Sequence, residues 1–67
     1  MDLKTVLVDA LEKKYEAQLA EAEATMKIYF ESSVGIGEHP QHIEELDKLL
    51  TTDVDAEEKL KAIKLYR

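Results

Sequence analysis

Sixty-seven residues without a cysteine, 15 acidic against 9 basic side chains and 45% apolar residues describe one small acidic domain of 7.7 kDa. The lack of cysteine excludes disulfides, thiol chemistry and cysteine-type zinc sites, so a single core of this size is marginal unless something else supports it. The net charge of −6 argues against a general affinity for nucleic acid or for anionic membrane, since both require a surplus of Lys and Arg on one face.

Taken from its start, the chain opens a long helix. Asp2 is placed to cap it, and the Ala-, Leu-, Glu- and Lys-rich stretch that follows predicts a helix over about 2–33. The longest apolar runs span only three residues, as at Val6 to Val8, which is too short for a membrane span or a signal-peptide core and makes the cytoplasm the expected location. On a helical wheel Leu7, Val8, Leu11, Tyr15, Leu19, Ala22, Met26, Tyr29 and Phe30 fall within an arc of roughly 140°, the expected buried face. A second row, Leu3, Val6, Ala10, Ala17, Ala20, Ala24 and Ile28, runs along the other side. Its small residues either admit a close helical neighbour or serve simply as strong helix formers on a solvated face.

Both glycines and the only proline lie in Gly35-Ile36-Gly37-Glu38-His39-Pro40, which predicts a loop over 34–39. Gly35 suits the left-handed residue that ends the first helix, with Ile36 closing back on Phe30. Pro40 suits the first position of the next helix, where a missing N–H costs nothing. Acidic residues then cluster early (Glu38, Glu44, Glu45, Asp47) and basic ones late (Lys59, Lys61, Lys64, Arg67), as the helix dipole favours.

In this second helix, over about 40–66, His42, Leu46, Leu49, Asp53, Ala56, Leu60, Ile63 and Arg67 are spaced 4, 3, 4, 3, 4, 3 and 4, a heptad seam that Ile43 and Leu50 widen. A competing reading breaks the helix at Thr51-Thr52-Asp53, with Thr52 capping a third short helix and Asp55 completing a capping box. The seam crosses Asp53 without changing phase, which favours one continuous helix.

The expected fold is therefore all-α, an antiparallel two-helix hairpin with Phe30 near Ile43, Met26 near Leu46, Ala22 near Leu50, Leu19 near Asp53 and Leu11 near Leu60. Two helices cover only one stripe of each other, so the wide apolar faces predict a partner, most simply a second copy in a twofold dimer that forms a four-helix bundle. The residues expected at that contact are Leu3, Val6, Ala10, Ala17, Ala24 and Ile28 from the second row, with Leu7, Leu11, Leu50, Leu60 and Ile63 from the wide faces.

Chemistry is sparse. His39 and His42 beside Glu38 and Glu45 lack the ligand spacing of a zinc protease and have no second cluster, so they read as helix-end and seam residues and no metal is expected. Gly35 and Gly37 precede a helix, but no strand precedes them and no Lys-Ser or Lys-Thr follows, so turn geometry explains them without a nucleotide or other cofactor. Asp53 reads as a polar residue that sets helix register. Ser32 and Ser33 have no evident base, and a hairpin offers no concave pocket, so no catalytic residues and no enzyme activity are expected. Tyr15, Tyr29 and Phe30 read as core rather than as a base-stacking stripe, with Tyr66 the one aromatic expected at the surface.

The stretch Val34-Gly35-Ile36-Gly37-Glu38-His39-Pro40, set between a Tyr-containing amphipathic helix and an Ile-x-x-Leu-Asp helix, resembles a group of short uncharacterised proteins of tailed bacteriophages, particularly those of marine cyanobacteria. The opening Met1-Asp2-Leu3-Lys4-Thr5 is similar too, and residues 51–55 depart from the more alanine-rich pattern of that group. The resemblance implies a viral source and expression in a bacterial host; it carries no activity and no site residue. Two functions follow as expectations. One is a self-associating structural or adaptor protein. The other is an acidic binder or inhibitor of a basic host protein, imitating nucleic acid through Glu12, Glu16, Glu23 and Glu31.

Overall fold

The computed structural model describes residues 2–31 and 41–67. Within them the chain is all-helical: α1 spans Leu3–Glu31 and α2 spans Gln41–Lys64, with no strand among the described residues. The predicted loop over 34–39 lies outside the described residues. So do the roles assigned to Gly35, Ile36, Gly37, Pro40, Glu38, His39, Ser32 and Ser33.

Local chemistry explains the helix ends that are described. Asp2 caps α1: its Oδ1 accepts a hydrogen bond from the Lys4 N–H at 3.3 Å, and its carbonyl accepts the first helical bond from Val6. At the far end of α2 the chain tightens, with the N–H groups of Leu65, Tyr66 and Arg67 each donating to the carbonyl three residues earlier. Lys61 and Lys64 occupy the last turn of α2 and Glu44 its first, charges that complement the dipole at both ends.

α2 passes through Thr51 and Thr52 without a break. Neither hydroxyl caps a new helix. Each turns back to accept a place in the existing one, donating to a carbonyl four residues earlier: Thr51 to Asp47 at 2.9 Å and Thr52 to Lys48 at 3.1 Å.

The helices run antiparallel as one rod of 52 × 14 × 13 Å. Tyr29 near the end of α1 meets His42 near the start of α2, their rings edge to face at 5.5 Å, while Arg67 beyond α2 reaches back to Asp9 and Glu12 near the start of α1. In α1 the seam is Val8, Glu12, Tyr15, Leu19, Ala22, Met26 and Tyr29, a 4, 3, 4, 3, 4, 3 alternation of buried and half-buried residues. In α2, every described side chain that is not exposed belongs to the seam His42, Leu46, Leu49, Asp53, Ala56, Leu60 and Ile63. Stepping by heptads from the Tyr29–His42 contact places Ala22 across from Leu49, Tyr15 across from Ala56 and Val8 across from Ile63. Small residues thus face large ones, which lets two helices with little apolar volume close on each other.

That register corrects the expected face of α1. Leu7, Leu11 and Phe30 are exposed rather than buried, because a single neighbouring helix covers only the narrow stripe facing it. Phe30 is 72% exposed, so Tyr66 is not the sole surface aromatic. The expected partners of Ala22 and Leu60 also shift. Leu50 stands outside the seam and Leu49 takes its place, while Glu12 replaces Leu11 on the α1 seam.

Candidate interaction surface

The rod hides little. Only Val8, Ala22 and Ala56 are buried among the described residues, and no larger side chain is fully enclosed. The chain exposes 5303 Å², whereas a compact chain of its mass would expose about 4,300 Å². The excess of about 1,000 Å² is what an elongated two-helix rod exposes over a compact fold of the same mass.

Much of the uncovered apolar surface gathers into two open grooves. The first lies at the end that holds the start of α1, and is walled by Leu3, Leu7, Val8, Leu11, Ile63 and Tyr66 with Lys4 at its edge. The second lies toward the other end and is walled by Met26, Phe30, Ile43, Leu46 and Leu50 with Asp47 at its edge. Leu11 stands about 80° to one side of the local seam of α1 and Phe30 about 70° to the other, so the grooves lie on opposite flanks. A smaller and more polar depression, lined by Gln18, Glu21, Ala22, Thr25, Leu49 and Thr52, occupies the middle.

The residues expected at a contact between copies are thus dispersed. Leu3, Leu7, Leu11 and Ile63 share the first groove, and Leu50 belongs to the second. Leu60 is half-buried in the α1–α2 seam. Val6, Ala10, Ala17, Ala24 and Ile28 are exposed and line none of these three depressions. The sequence does not reveal the second groove as a unit, because its pattern pairs Phe30 and Ile43 with each other across the seam. The signal that finds it is phase, since both stand just outside the 4, 3 alternation.

Among the described residues the ion pairs that join the two helices are those of Arg67. The Arg67 guanidinium donates to both Glu12 and Asp9, and these bonds raise its pKa further above the ordinary arginine value. A hydrogen bond and the charge of Asp55, 3.0 Å away, raise the Lys59 pKa, and the same ammonium lies 5.6 Å from the centroid of the Tyr15 ring. Lys27–Glu31, Lys48–Glu45 and Lys61–Glu57 are exposed pairs within single helices and add little. No group of three or more metal-ligating side chains occurs among the described residues, and no helix there is long and apolar enough to cross a membrane.

Comparison of the chain with protein-family models, with curated proteins and with solved structures yields no match.

Proposed function

We propose that this protein is a self-associating helical module with a structural or adaptor role, in which helix pairs stack to give four helices in cross-section. The observation that carries this reading is the pair of apolar grooves left open on a rod that, among its described residues, buries only Val8, Ala22 and Ala56. A closed twofold dimer is the simplest such assembly. The likeness of residues 34–40 to phage proteins adds a viral source and the host cytoplasm as its setting, and catalysis has no part in the reading.

Sedimentation equilibrium across the micromolar range tests it. The weight-average mass is expected to exceed 7.7 kDa and to rise with concentration; a well-folded chain that stays at that mass throughout refutes the proposal.

The net charge of −6 supports a second reading, an acidic binder of a basic host protein. Of the four glutamates it would use, Glu12 already pairs with Arg67 and Glu31 with Lys27, leaving Glu16 and Glu23. Self-association is the better supported of the two.

A further inference from the structure

We infer that the two grooves are unlike halves of one contact: the groove edged by Lys4 on one copy receives the groove edged by Asp47 on the next, so that copies add head to tail rather than closing as a pair. The inference rests on the self-association proposed above and replaces its simplest geometry, the closed dimer, with an open one.

Three observations carry it. The grooves lie on opposite flanks and roughly 30 Å apart along the rod, so a contact made through one leaves the other open. Among the described residues each has almost wholly apolar walls and a single charged residue, Lys4 in one and Asp47 in the other. Neither Lys4 nor Asp47 has an ion-pair partner among the described residues.

Electrostatics then chooses between modes. Neither groove carries a charge opposite to its own, so a twofold contact through the first leaves Lys4 without a carboxylate and one through the second leaves Asp47 without a cation at the edge of an apolar contact. Packing the unlike grooves sets Lys4 beside Asp47. A contact between two different patches does not close at two members unless a rotation brings the ends together, so it propagates as a staggered stack or a ring.

Leu7→Glu and Ile43→Glu each place a charge in one groove at an exposed position near a helix start, where glutamate suits the dipole and the seam is untouched. Circular dichroism is expected to show that both variants stay helical. By sedimentation, the unmodified chain is expected to grow past a dimer. Each variant alone is expected to remain at the mass of a single chain, and an equal mixture should form a one-to-one heterodimer through the two intact grooves. Lys4→Glu should weaken assembly at least several-fold, and adding Asp47→Lys to it should restore assembly.

An unmodified chain that stops at a dimer, with the variant mixture forming no heterodimer, overturns the head-to-tail contact while leaving self-association standing. An unmodified chain that never associates removes both.

Discussion

Asp53 sits in the α2 seam between Leu49 and Ala56, and its Oδ1 has no hydrogen-bond partner among the described residues. A polar atom held in that position without a partner costs about 1–3 kcal/mol, and in helix pairs such a residue is retained for the register it enforces. Asp53→Leu is therefore expected to stabilise the helix pair by about 1 kcal/mol, raising Tm by about 4–8 °C. Thermal unfolding followed by circular dichroism at one fixed concentration measures this. A lower Tm in the leucine variant would show that the carboxylate stabilises the native pairing. Asp53 was legible in the sequence as the one acidic residue on an otherwise regular α2 seam. Glu12 was not, because a charged residue is discounted when an apolar arc is drawn. Two features would have revealed it: it completes the 4, 3 alternation of α1, and the chain's single arginine, Arg67, falls opposite it once the helices are folded together.

Continuity of α2 depends on what two threonines do with their hydroxyls. Were Thr52 an N-cap, replacing it with alanine would cost about 1 kcal/mol. Bonded back to Lys48 inside an unbroken and exposed stretch, it only lowers helix propensity, as Thr51 does through Asp47. The double change Thr51→Ala and Thr52→Ala is thus expected to stabilise the protein by about 1 kcal/mol in urea unfolding. The sign of the change separates the two descriptions of the element. Periodicity made the α2 seam readable from His42 to Ile63, because a strict heptad leaves no choice of face, but the widening by Ile43 and Leu50 and the place given to Arg67 do not hold, since all three are exposed. The α1 face was readable only in direction. A wheel shows where Leu7, Leu11 and Phe30 point, but how wide a stripe becomes covered is decided by the neighbour, and α2 is one helix wide.

Across the whole molecule, stability and assembly become one quantity. A rod whose only buried residues among those described are a valine and two alanines draws little from its own seam, while its grooves hold leucine, isoleucine, phenylalanine and tyrosine in water. If copies cover those grooves, folding is linked to concentration by mass action, and the folded state gains about 2.7 kcal/mol when the free concentration reaches about a hundred times the dissociation constant. For a chain of this length that gain corresponds to a rise in Tm of about 10–20 °C. Thermal unfolding repeated over about a hundredfold range of protein concentration is expected to show this rise. Leu7→Glu should flatten the dependence, because it removes an apolar wall that only a neighbour would cover. Changes on the outward alanine row, such as Ala17→Lys, should leave the slope intact, since Ala17 lines neither groove. A Tm that does not move with concentration would mean that the narrow seam of Val8, Tyr15, Leu19, Leu49 and Ile63 suffices by itself, and the open grooves would then make no contribution to folding.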